Sequence, residues 1–253
     1  MRRVLLLGGT TEATELARRF AEARLPAVFS YAGRTASPTV QPIPTRVGGF
    51  GGADGLAAYL CQEGISHVID ATHPFASRMS HNAERACALT TIPLLALERP
   101  PWLAQAGDNW LDVADATMAA ACLPATPGNV FLAIGRQNLD AFTVRPEHHY
   151  LLRLVDPLPP ELALQMHLPR VTVLVDKGPF TEVRDRAIME EHHITHVVAK
   201  NAGGSAARAK LEAARALRLP VIMIARPVQP DRHSVGSVDA VMAWLSHQAD
   251  LGV

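Results

Sequence analysis

The strongest constraint on the fold is an internal duplication. Ile65-Ser66-His67-Val68-Ile69 is echoed by Ile194-Thr195-His196-Val197-Val198. Each is followed by a helical stretch and then by a second matching strand. That strand is Pro93-Leu94-Leu95-Ala96-Leu97-Glu98-Arg99-Pro100 in one copy and Pro220-Val221-Ile222-Met223-Ile224-Ala225-Arg226-Pro227 in the other. Upstream, Gly49-Phe50-Gly51 and Gly178-Pro179-Phe180 each precede an amphipathic stretch. The outer ends agree more weakly: Leu5-Leu6-Leu7-Gly8 with Phe131-Leu132-Ala133-Ile134-Gly135, and Val113 to Cys122 with Val238 to Leu245 as closing helices. An ordered series of matches favours duplication over chance recurrence of apolar residues. The expected halves are 1–123 and 129–253, joined by the turn-rich Pro124-Ala125-Thr126-Pro127-Gly128. Whether the closing segments stay with their own half or exchange between halves is left open. The 253 residues accommodate two such domains of roughly 125 residues, each with its own core.

Within each half, short apolar runs alternate with helical patterns. Val4 to Leu7 is continuously apolar, as in a parallel strand covered on both faces. Glu12 to Arg24 then places Leu16, Ala17 and Phe20 on one helical face. Ala27 to Tyr31 reads as a strand and Leu56 to Gln62 as a helix. The class is therefore α/β: two similar Rossmann-like lobes with parallel sheets and a ligand cleft between them. Ligands in such sheets sit beyond the carboxyl ends of the strands, so chemistry is expected in the loops there.

Composition narrows the function. With 48% hydrophobic and 19% charged residues the chain is neither a disordered polymer nor a disulfide scaffold. Its 24 basic and 24 acidic side chains give no electrostatic case for nucleic acid or an anionic membrane. The apolar run Val4 to Leu7 is too short for a signal peptide, and no stretch approaches a membrane span. Cys61, Cys87 and Cys122 lack metal-ligand spacing and fit reduced thiols, so a soluble, cytoplasmic protein without a metal site is expected. Only Lys177, Lys200 and Lys210 among the basic residues are lysines. The arginine bias suits either a polyanionic ligand or a genome of biased base composition. Oligomeric state is not legible.

Seven loops carry candidate residues. Gly8-Gly9-Thr10-Thr11-Glu12 opens the first helix, where glycine backbone and free amides attract a phosphate, although Gly-x-Gly-x-x-Gly is absent and a threonine cap explains part of it. Gly33-Arg34-Thr35 ends the second strand without an acid. Arg34 therefore favours a 2′-phosphate and NADPH over NADH, with a solvated turn arginine as the plain alternative. In Gly48-Gly49-Phe50-Gly51-Gly52 the backbone can pass close to a flat ligand with Phe50 on its face, or Phe50 is simply buried. Asp70-Ala71-Thr72-His73 ends the Ile65 strand: His73 is a candidate proton donor, Asp70 its orienter or a substrate contact, and Thr72 a cofactor contact. In the second half, Gly135-Arg136-Gln137, Lys177-Gly178-Pro179-Phe180 and Lys200-Asn201-Ala202-Gly203-Gly204-Ser205 make the strand ends cationic. That suits a carboxylate-bearing substrate.

Gly8-Gly9-Thr10-Thr11-Glu12-Ala13, Ala32-Gly33-Arg34, the Gly48–Gly52 run, Asp70-Ala71-Thr72-His73-Pro74-Phe75-Ala76, Lys177-Gly178-Pro179-Phe180 and Lys200-Asn201-Ala202-Gly203-Gly204 together resemble the precorrin-6A reductase family. The likeness spans nearly the whole chain, and Ala202 departs from the serine expected there. It implies a cobalamin-pathway enzyme of two Rossmann-like domains. Such an enzyme uses a reduced nicotinamide cofactor, NADPH, to saturate one double bond of a corrin precursor fringed with acetate and propionate groups, giving precorrin-6B. Phe50, Gly51, Arg136, Lys177, Gly178, Asn201, Gly203, Gly204 and Ser205 are then substrate contacts. Gly8, Gly9, Thr10, Thr11, Glu12, Gly33, Arg34, Thr35 and Thr72 are cofactor contacts, and His73, Asp70 and Lys200 hold polar catalytic roles. A cobalt-containing substrate with NADH remains an alternative, as does a binder of a nucleotide or tetrapyrrole that performs no reaction. A sugar-nucleotide dehydrogenase is disfavoured because no Tyr-x-x-x-Lys pair exists.

Overall fold

The computed structural model describes residues 2–33, 38–158, 168, 170–205 and 207–250. The chain divides into two compact units, Met1–Pro100 with Val228–Val253, and Pro101–Pro227. Among the described residues, twelve strands form two separate six-stranded sheets, and every adjacent pair is parallel.

The first unit contains β1 (Val4–Leu7), α1 (Thr11–Glu22), β2 (Ala27–Tyr31), β3 (Thr45–Val47), α2 (Ala53–Gln62), β4 (His67–Asp70), α3 (Ser77–Thr90) and β5 (Leu94–Leu97). Strands β1 and β2 occupy the apolar runs expected of them. Side chains alternate across the sheet, so Val4 and Leu6 face α1 while Leu5 and Leu7 face α2 and α3. Each buried leucine contributes about 1.5–3 kcal/mol, which is why a fully apolar run is required at a doubly covered strand.

The second unit runs β6 (Trp110–Val113), α4 (Ala116–Ala121), β7 (Asn129–Ala133), a 3-10 turn (Leu139–Val144), β8 (His149–Leu154), β9 (Val171–Val175), α5 (Glu182–Glu191), β10 (His196–Lys200), α6 (Ala209–Ala216) and β11 (Val221–Ile224). Phe131, Leu151, Val197, Ala199, Val221 and Met223 of its sheet pack against Ile188, Met189 and Leu211 of the helices. The chain then returns to the first unit as β12 (Ser234–Val235) and α7 (Val238–Asp250).

Strand orders are β12-β5-β4-β1-β2-β3 and β6-β11-β10-β7-β8-β9, the same order written twice. In each sheet the sixth strand comes from the other half of the sequence. Trp110 to Val113 pairs with Val221 to Ile224, and Ser234-Val235 pairs with Ala96-Leu97. The division therefore does not fall at 124–128, as the turn-rich segment suggests, but at Pro100 and again at Pro227. The closing helices are exchanged with their strands: Val238, Val241 and Leu245 of α7 pack with Leu16 and Phe20 of α1.

His67 begins β4, is buried, and lies edge-on to Trp244 of α7 with ring centroids 5.6 Å apart. Burial, and after it the charge of Arg2, holds its imidazole below the ordinary range, and burial does the same to His196. A lowered folded value means that stability from these rings is complete above about pH 6.5 and is lost as pH falls through the folded values. Urea unfolding should therefore show a midpoint that drops between about pH 7.5 and about pH 5.5, and His67→Phe should flatten part of that drop. A midpoint independent of pH across this window contradicts the assignment.

Candidate functional site

In the first sheet the connection from β1 runs to β2 on one side and that from β4 to β5 on the other, so the loops after β1 and β4 part at the centre. Such a switch point is where open α/β sheets hold ligands. Gly8 follows β1 and is pressed against Phe29; a Cβ there would lie 2.1 Å from Cζ of that ring. Gly9 is exposed, has φ +128°, and a Cβ on it would meet nothing within 4 Å. Thr10 caps α1: its Oγ1 accepts from the Ala13 amide at 3.1 Å and donates to the Ala71 carbonyl at 2.9 Å. That hydroxyl ties the loops after β1 and β4 together. The other amides of the first turn have no carbonyl partner within the helix. An open glycine beside a helix amino end fits the pyrophosphate of a dinucleotide, and the missing Cβ is the observation that makes it fit. Thr11 is exposed at this end. Glu12 is engaged elsewhere, in an ion pair with Arg99 at 2.8 Å.

Asp70 ends β4 at only 2% exposure. Its Oδ1 accepts from the Thr72 amide at 3.0 Å and the Thr72 hydroxyl at 2.7 Å; its Oδ2 accepts from Ser80 Oγ at 2.7 Å and from Arg232. Arg232 also donates to Glu98 Oε1 from Nη2 at 2.7 Å and from Nε at 3.2 Å. Burial works against the Arg232 charge, but Asp70 and Glu98 outweigh it and hold the guanidinium above its ordinary range. The partners of Asp70 are thus Thr72, Ser80 and Arg232, with no bond to His73 among them, and the carboxylate shapes the loop that carries His73. Thr72 likewise spends its hydroxyl on Asp70.

His73 is half-buried, and its Nδ1 accepts the Phe75 amide at 3.2 Å. That bond puts the proton of the neutral ring on Nε2, leaving Nε2–H as the donor. Gln229 holds the same loop by donating to the Pro74 carbonyl at 2.8 Å. Sequence reasoning singled out neither Arg232 nor Gln229. Both lie in the returning segment, and their signal is visible only once β12 is placed beside β5.

Gly33 has φ +74° and lies against Gly48, so the turns after β2 and β3 abut. Arg34 and Thr35 lie outside the described residues. Phe50 is half-buried; the Arg46 guanidinium sits 3.8 Å over its ring and Tyr59 meets it edge-on at 5.1 Å. Arg46 also donates to Ser30 Oγ at 2.8 Å and to the Gly48 and Gly49 carbonyls at 3.0 and 3.2 Å. One face of Phe50 is thus covered by a protein cation. Gly51 is exposed beside it.

In the second unit Gly135 and Arg136 are exposed after β7, and a 3-10 turn follows where the first unit has α1. Lys177 and Gly178 are exposed after β9. Lys200 ends β10 half-buried. Asn201 does not offer its amide outward: Oδ1 accepts the Trp102 N–H at 2.8 Å and Nδ2 donates to the Trp102 carbonyl at 2.9 Å. The Trp102 indole donates to the Gly204 carbonyl at 2.6 Å. Asn201 and Gly204, expected at substrate, clasp a buried tryptophan. Gly203 is buried in that clasp, and Ser205 is exposed at its end. Among the described residues no group of three or more His, Cys, Asp or Glu could hold a metal, and no helix is long and apolar enough to cross a membrane.

Arg232→Met should destabilise the protein by about 3–5 kcal/mol, because Asp70 is left as an uncompensated buried charge. The double variant with Asp70→Asn should recover part of the loss in chemical denaturation. A single variant within about 0.5 kcal/mol of wild type would mean that the network carries no such role.

The family model described as "Precorrin-6x reductase CbiJ/CobK" matches residues 3–246. The precorrin-6A reductase of Rhodobacter capsulatus is 56% identical over 246 residues, covering 97% of this chain and 96% of that protein. Its counterpart from a Sinorhizobium species is 47% identical over 246 residues, covering 97% and 93%. The cobalt-precorrin-6A reductase of Priestia megaterium is 32% identical over 233 residues, covering 88% and 90%. A solved structure described as CobK precorrin-6A reductase aligns with a TM-score of 0.93 at 55% identity, over 98% of this chain and 97% of that one. Two Rossmann-like parallel sheets, the glycine opening at α1 and a match along nearly the entire length agree: the chain belongs to the precorrin-6x reductase family.

Proposed function

We propose that this chain reduces precorrin-6A to precorrin-6B with NADPH, consuming one proton and releasing NADP⁺. The observation that carries this reading is the near-full-length likeness to proteins named precorrin-6A reductase. The lower identity to the relative named for a cobalt substrate supports the metal-free macrocycle.

NADPH, when bound, supplies the two electrons and one hydrogen that saturate the ring double bond. The chain's part is to bind, orient and place protons. Gly9 and the first-turn amides of α1 are suited to the pyrophosphate, and Arg34 to a 2′-phosphate. The second unit has no counterpart of α1 after β7, so the first unit is the one equipped for the dinucleotide. His73 donates a hydrogen bond from Nε2–H to a ring nitrogen that gains charge during reduction, and the proton consumed comes from solvent. Lys200, Arg136 and Lys177 are suited to the peripheral carboxylates. Asp70 takes no proton in this scheme; it sets the shape of the loop that carries His73.

Anaerobic incubation with precorrin-6A and each nicotinamide cofactor, followed by cofactor absorbance and product mass, tests the reading. Turnover with NADPH and a product heavier by two hydrogens are expected. Tight binding without oxidation would make the chain a binder, and preferential turnover of the cobalt substrate or with NADH would replace those parts of the assignment. Gly9→Val should raise KM for NADPH about tenfold or more, since a β-branched residue at that φ is strained and fills the opening. His73→Ala should slow single-turnover reduction about a hundredfold; an unchanged rate removes the histidine from this role.

A further inference from the structure

The geometry points to Arg153, through its stack on Phe180, as the positioning residue of a turn that presents Lys177 to a carboxylate of the macrocycle. This deepens the reading of the chain as a reductase of a carboxylate-rich ring and rests on it.

Arg153 lies within β8 at 7% exposure, an expensive place for a charge. It is paired with Asp185 Oδ1 at 2.5 Å, and Asp185 is itself wholly buried in α5. The guanidinium is held over two rings, 4.1 Å from the centroid of Phe180 and 5.0 Å from that of Phe131. A flat cation fixed on one side by a buried carboxylate and stacked on a ring has little rotational freedom, so the place of Phe180 is set from beneath. Burial, more than the opposing pull of Arg153, biases the Asp185 carboxyl upward.

The turn between β9 and α5 is pinned on both flanks and open in the middle. On the strand side, the Asp176 amide donates to the Leu154 carbonyl at 2.8 Å and the Asp176 carboxylate receives Arg184 at 2.8 Å. On the helix side, Thr181 caps α5 by accepting the Arg184 amide at 3.3 Å, next to Phe180 on Arg153. Gly178 lies beside Phe180: a Cβ on it would stand at ordinary van der Waals distance, 3.5 Å, from the ring. Lys177, Gly178 and Pro179 stand exposed between these anchors. An ammonium on a fixed backbone binds an anion at a lower entropic cost than one on a mobile loop. The turn lies beyond the carboxyl end of its sheet, where α/β folds take ligands.

The test uses full-length protein, precorrin-6A for turnover and uroporphyrin, a carboxylate-fringed porphyrin, as an unreactive binding probe. Phe180→Ala and Lys177→Gln should each weaken uroporphyrin binding and raise KM for precorrin-6A about tenfold, with KM for NADPH unchanged. Phe180→Tyr should restore wild-type values because its ring still stacks, and Arg153→Lys should not, because its ammonium is not flat. Lys177 is exposed, so Lys177→Gln reports on the turn even if Phe180→Ala fails to fold. Wild-type turnover of precorrin-6A together with unaltered KM in Lys177→Gln and in folded Phe180→Ala overturns the role of the turn alone. Wild-type protein that neither reduces precorrin-6A nor binds uroporphyrin overturns the parent reading instead.

Discussion

A parallel sheet cannot finish an edge with a hairpin, because neighbouring parallel strands need a long connection to return to the same end. That constraint governs this chain. Each five-strand core needs a sixth strand beside β5 or β11, and in both cases the strand is supplied from the other half of the sequence. The strand is short, two residues in one case, so backbone pairing alone is a weak hold. Arg232 compensates in the first unit. It stands just ahead of β12 and reaches both Asp70 at the end of β4 and Glu98 beyond β5. A charge network thus completes a sheet edge that hydrogen bonds begin.

The same network decides the local chemistry. Asp70 draws Thr72 and Ser80 to it, which sets the course of the loop holding His73, while Thr10 secures that loop to the start of α1. Residues that look catalytic in one dimension are here divided between two duties. Asp70 and Glu12 face protein cations, whereas Gly9 and Thr11 remain exposed beside the helix amino end. The second unit follows the same economy with other residues. Asn201 and Gly204 enclose Trp102, and Arg153 with Asp185 supports Phe180. In each unit an arginine that no motif highlights braces a loop that a motif does highlight.

The duplication, the strand–helix alternation and the positions of the loops were legible because they follow from local periodicity. Val4 to Leu7 is apolar throughout since both its faces are covered, and Leu16, Ala17 and Phe20 share a helical face since α1 lies on the sheet. Loop glycines were legible for the same reason: Gly9 has a backbone angle that other residues avoid. Trp102, Arg46, Arg153 and Arg232 were not legible, because their meaning lies in partners at a distance in the chain.

What the amino-acid order determined by itself is therefore the alternation of strands and helices in two like halves, the parallel character of the sheets and the family to which they belong. Tertiary structure alone decided which sheet receives each closing strand, and which polar side chains turn inward. The physical reason is range. A periodic pattern records whether a residue is covered, but an edge strand of a few residues fits either sheet locally, and a carboxylate is spelled the same whether it awaits a ligand or is sealed by an arginine far along the chain.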